Sequence, residues 1–155
     1  GYKVNTPVAF VATTYQLSWS ATGTTVAGTG NGGSSATNRL SNPWTIVLDS
    51  SNALYIADQG NNRIQKWIIG YSTGTTVAGQ PNGVAGATSY YLNQPNGVYV
   101  DTNSNIYVAD SVNGRVQFFS SGALSGTTVA GIGERKRAAK EIFHQQHICM
   151  SRDSV

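Results

Sequence analysis

The chain has 155 residues, enough for one domain with a modest core. It is rich in Gly, Ser, Thr and Asn, only 11% of its residues are charged, and no apolar run is long enough to span a bilayer. Its formal charge of +3 divides unevenly: residues 1–133 carry +1 and residues 134–155 carry +2, so most of the chain offers little field for phosphate. A single cysteine excludes an internal disulfide framework and leaves the compartment undecided.

Residues 1–22 read as an atypical terminal segment. They show no charged head followed by an apolar stretch. Residues 8–14 and 15–19 read as strands, the second alternating Tyr15, Leu17 and Trp19 against Gln16 and Ser18.

From residue 23 the chain repeats. GTTVAG occurs at 23–28, 74–79 and 126–131, at steps of 51 and 52 residues. Each copy reads as a short strand released into turns by its flanking glycines. A longer block, NPWTIVLDSSNALYIADQGNNRIQKW at 42–67, returns as QPNGVYVDTNSNIYVADSVNGRVQFF at 94–119, shifted by 52. Chance does not hold so many residue types in register, so units of this length, about 23–73 and 74–125 with a third starting at 126, are internal repeats. Between the GTTVAG copies and the long blocks lie two polar, glycine-rich loops, 29–42 and 80–93. Loops of this kind carry function more often than the strands they join.

Four strands are expected per unit. They are 45–49 and 97–101, then 54–58 and 106–110, then 63–67 and 115–119, and finally the GTTVAG segment. The connections between the first three are four residues each, too short for anything but antiparallel neighbours. In NIYVAD, Ile106, Val108 and Asp110 face one way, with Tyr107 and Ala109 the other. Apolar side chains on both faces suit a sheet covered on both sides by its neighbours. Repeated four-stranded meanders of this length predict an all-β protein built of antiparallel β-propeller blades.

The string P-x-G-[VI]-x-V-D-x-x-x-x-I-Y-V-A-D-x-x-N-x-R-[VI]-Q resembles the NHL repeat. Residues 95–117 fit it closely; residues 43–65 depart at Trp44-Thr45 and at Leu48. The resemblance extends over roughly residues 20–133. It implies an NHL-type propeller, usually of six blades, acting as a binding platform for protein or RNA. Two full units and part of a third make an incomplete propeller: a fragment, or a part that pairs with further blades or with copies of itself. Relatives also suggest the substrate-recognition part of a ubiquitin ligase and a metal-dependent amidating lyase. The lyase would need histidines within the blades and the ligase a zinc-bound module, and neither is present in the repeats.

No cofactor or catalytic residue is indicated. The repeats contain no histidine, no G-x-S-x-G setting and no phosphate loop, and the G-x-G within residues 28–33 opens no helix pattern. Asp58 with Arg63, and Asp110 with Arg115, recur in each unit and read as pairs that fix the turn between them; Asp49 and Asp101 read as turn formers. Asn61 and Asn113 read as turn residues tolerant of left-handed backbone. For a binding rim made by the long loops and the turns after the second strand, the candidates are Trp44, Arg39, Gln59, Asn61, Ser111 and Asn113, with Tyr90 and Tyr91 weaker. Trp44 stands out because its counterpart is Asn96, and an exposed aromatic there could anchor a partner. The leading partner is a protein or peptide.

Residues 134–155 form a basic tail unlike the repeats, with both histidines and the one cysteine. The tail reads as disordered or as a short helix over residues 135–149, on which Ala138, Ala139, Ile142 and Phe143 would make a narrow apolar stripe. His144 and His147 would share a helical face, but Cys149 does not join them and a fourth ligand is missing, so no metal site is assigned.

Overall fold

The computed structural model of the chain describes residues 20, 22–30 and 33–131. The terminal strands read at 8–19 and the basic tail with its helix lie outside the described residues.

Among the described residues, eight strands form two four-stranded antiparallel sheets. The first contains β1 (Pro43–Leu48), β2 (Ala53–Asp58), β3 (Arg63–Ile68) and β4 (Thr75–Gly79). The second contains β5 (Pro95–Val100), β6 (Ile106–Asp110), β7 (Arg115–Phe119) and β8 (Thr127–Ala130). In each sheet the spatial order is the chain order, so each is a meander. The all-β, blade-like architecture expected from the repeat is the architecture observed. The β2–β3 connection is a single 3-10 turn, Gln59–Asn61. Asn62 and Gly114 close the two equivalent turns with positive φ. This corrects the reading of Asn61 and Asn113 as the left-handed residues: the residue following each of them is.

The sheets stack face to face. One core lies between them: Tyr55, Ala57 and Ile64 of the first blade pack with Val98, Val108 and Phe119 of the second. Each pair of cross-strand partners explains the division. Val47 faces Tyr55, and one residue further Leu48 faces Leu54, on the opposite side of the sheet. A second, smaller core of Leu54, Ile56 and Trp67 forms on the far side of the first blade, covered by Ala27 and Leu40.

GTTVAG behaves differently in its three settings. The second and third copies supply the outermost strand of the blade that began at Pro43 and Pro95. Their first glycines, Gly74 and Gly126, lie against the rings of Trp67 and Phe119, where a Cβ would come within 2.5 and 2.8 Å. Gly79, φ +80°, leaves no room for a Cβ beside Asn62 O, which would stand 2.5 Å away. The first copy, expected to be a strand, forms none. A strand needs a neighbour, and no described residue stands to it as β3 stands to β4. A Cβ at its Gly23 would meet no described residue within 4 Å, unlike one at Gly74 or Gly126.

Candidate functional site

The loop rim is organised by two Asp–Arg ion pairs, the first fully buried and the second slightly open at its arginine. Asp58 ends β2 and Arg63 begins β3, directly opposite each other in the register. Arg63 Nε donates to Asp58 Oδ2 at 2.8 Å, and neither side chain is exposed. Its Nη1 donates to Ser35 O at 2.5 Å and Pro81 O at 2.9 Å, and its Nη2 to Ala36 O and Arg39 O at 3.1 Å each. All five donors of the guanidinium are thus used, four of them on loop carbonyls. Asp58 Oδ1 accepts from the Ser41 N–H at 2.7 Å, fixing the other end of the 33–42 loop.

The second blade repeats this. Arg115 Nε donates to Asp110 Oδ2 at 2.7 Å. Its Nη1 reaches Ala87 O, and its Nη2 reaches Thr88 O and Tyr91 O. Asp110 Oδ1 accepts from Asn93 N–H at 2.7 Å. Asn62 joins the two systems: its Nδ2 donates to Gly83 O and its Oδ1 accepts from Gln94 N–H at 2.8 Å.

The binding candidates are distributed unevenly over this frame. Asn61 is buried, its Nδ2 donating to Ser34 O and Asp58 Oδ2 at 2.9 Å each. Asn113 does the same toward Gly86 O and Asp110 Oδ2 at 2.8 Å. Their amides are held within the frame. Gln59 is half-buried, and its Oε1 accepts from Asn42 Nδ2. Ser111 is half-buried with a long hydroxyl contact to Ala109 O, 3.5 Å. Arg39 is half-buried, held through its backbone. Trp44 is 64% exposed, the second residue of β1. Tyr90 is exposed and Tyr91 half-buried on the second loop. An open cleft of about 270 Å³, lined by Ala27, Thr29, Leu40, Asn42 and Pro43, lies at the start of β1. Nothing in the sequence marks that cleft: it depends on how residues 27–30 fold against Leu40.

At the opposite end of the blades, Asp49 closes the β1–β2 turn. Burial raises its pKa, but the Ser51 hydroxyl, the Ala53 and Ser51 N–H groups and the charge of Lys66 outweigh that and hold it down to about 2. Asp101 accepts from the Asn105 amide side chain and from the Asn105 and Asn103 N–H groups, which hold its pKa below the ordinary value. Lys66 sits 3.6 Å from Asp49 and over the Tyr55 ring. Among the described residues no three His, Cys, Asp or Glu side chains gather as a metal would require.

Two face-stacked four-stranded meanders at a 52-residue period, each stitched by an Asp–Arg pair, define blades of a β-propeller repeat protein. The family model described as NHL repeat matches residues 40–67 and 92–119, and the chain carries two NHL repeats. It is 38% identical over 96 residues to NHL repeat-containing protein 2 of Bos taurus, across 59% of this chain and 13% of that protein. The chain therefore spans a small part of the length of the curated relative it matches.

Proposed function

We propose that this chain is a binding or scaffold module that holds a protein or peptide at its loop rim. The supporting observation is Trp44. It stands largely open next in the chain to Pro43, which lines the cleft, on a strand that is locked at its start by the frame of Asp58, Arg63 and the 33–42 loop. A rigid, exposed indole next to a concave surface is the kind of group that anchors a partner, because its area is buried at little entropic cost. Arg39 and Gln59 lie close in the same loop-and-turn system and supply polar contacts. No described helix is long and apolar enough to cross a membrane.

The charge arrangement favours protein over RNA. Of the four described cations, Arg63, Arg115 and Lys66 are each matched to an aspartate. Arg39 alone is left to make a phosphate contact at the rim, and RNA affinity needs several. A scaffold rather than an enzyme is also what the carboxylates support: Asp58 and Asp110 are fully engaged by arginine, asparagine and backbone N–H groups. The test is capture of a partner on the immobilised chain, compared with the Trp44→Ala, Arg39→Ala double variant. Affinity is expected to fall tenfold or more with an unchanged far-ultraviolet spectrum; unaltered capture would discard this surface.

A further inference from the structure

Blade packing inside the chain uses two unlike faces, and each exists a second time with part of it open among the described residues. The face of the first blade that meets the second carries the cross-strand row Val47, Tyr55, Lys66. The equivalent row of the second blade is Tyr99, Tyr107, Phe118. Tyr55 is 2% exposed, whereas its counterpart Tyr107 is half-buried; Tyr99, the counterpart of the half-buried Val47, is 40% exposed, and Val129 of β8 is open as well. The three rings pack in a row at tilted angles, with centroids 6.0 and 5.1 Å apart. Lys66, the one charge in the covered row, is replaced by Phe118 in the open one, so the open face is the more apolar.

The opposite face shows the same contrast. Val98 and Val108 of the second blade are buried against the first blade. Their counterparts in the first blade are Ile46 and Ile56. Ile56 is buried, but Ile46 is 61% exposed where Val98 is 1% exposed, and Leu48 beside it is open too. The repeat equivalents of two surfaces that pack on each other within the chain are therefore partly open on opposite sides of the two-blade stack.

We propose that copies of this chain associate head to tail. The Tyr99–Tyr107–Phe118 face of one copy seats on the Ile46–Leu48 face of the next, as the first blade seats on the second. A contact of this kind is heterologous, so it builds a ring if the rotation closes and a chain of copies if it does not. One local rearrangement comes with it. Ala27 packs on the first blade's outer core as Ala78 packs on the core between the blades. In the assembly Ala130, from the identical GTTVAG segment that is already a strand, takes that place and residues 23–28 move aside.

The test is the solution mass of the full chain by sedimentation equilibrium, with two single variants, Ile46→Glu and Tyr99→Glu. The wild type is expected to exceed 16.3 kDa increasingly with concentration. Each variant alone is expected to stay at the monomer mass with a native β spectrum, since both positions are exposed. Mixed in equal amounts, the two are expected to give a dimer and nothing larger, because one intact face of each kind remains. Leu48→Glu replaces Ile46→Glu if the latter unfolds. A wild type that is monomeric at every concentration overturns the proposal. So does a variant that associates as the wild type does, or a mixture that stays monomeric.

Discussion

Arg63 shows how one side chain can hold a loop that has almost no apolar content of its own. The 33–42 segment is polar and serine-rich and buries little, yet three of its carbonyls, those of Ser35, Ala36 and Arg39, converge on one guanidinium. Asp58 pays part of the desolvation of that cation, and the carbonyls complete its donors. Only Arg has the planar fork to do this; Lys would place a point charge where five directed donors are needed. Arg63→Lys and Asp58→Asn are each expected to lower stability by about 3–5 kcal/mol, read from urea unfolding, because each leaves a buried charge or several carbonyls without partners. Arg115, slightly open to solvent, is expected to be the less costly of the two positions. The opposite rim gives a pH prediction. Asp49 binds its proton at about 2 when folded, below the ordinary 3.8, and Asp101 is also lowered. Their contribution is therefore fully present above about pH 4 and is lost as pH falls toward 2, since the unfolded chain then takes up protons first. Asp49→Asn is expected to flatten the dependence of the urea midpoint on pH between 4 and 2, while leaving the curve above pH 5 parallel to that of the wild type.

At the scale of the element, GTTVAG is a strand only by virtue of its neighbour. In β4 and β8 the first glycine makes room for the Trp67 or Phe119 ring, and the threonine at the third position meets Gln65 or Gln117 across the ladder. The last glycine turns with positive φ against the backbone that closes the preceding turn, Asn62 or Gly114. Gly79→Ala is expected to destabilise the chain by at least about 1 kcal/mol from backbone strain alone, with the contact to Asn62 O added. Gly30→Ala, also at positive φ but in open space, isolates the strain; equal effects of the two substitutions on the urea midpoint would remove the contact from the account. The first copy has identical residues but no partner strand among the described residues, and it forms no strand. Its reading as a strand was reasonable on propensity and failed because a β-strand is not a local structure.

For the molecule as a whole, the period, the four strands per unit, their antiparallel order and the two-sided burial of β2 were legible in the sequence. All of them follow from residue spacing and alternation, which act over a few residues and recur. The site was legible only in part. Repetition singled out Asp58, Arg63, Asp110 and Arg115, and the break in repetition singled out Trp44. It could not tell that the amides of Asn61 and Asn113 are turned inward to the loop, nor that Ile46 and Val98, one period apart, stand one open and one buried. Those outcomes depend on which loop or blade lies against which face. Position in the repeat is written in the chain locally; coverage is a matter of contact between residues dozens of positions apart, and only the packed fold decides it.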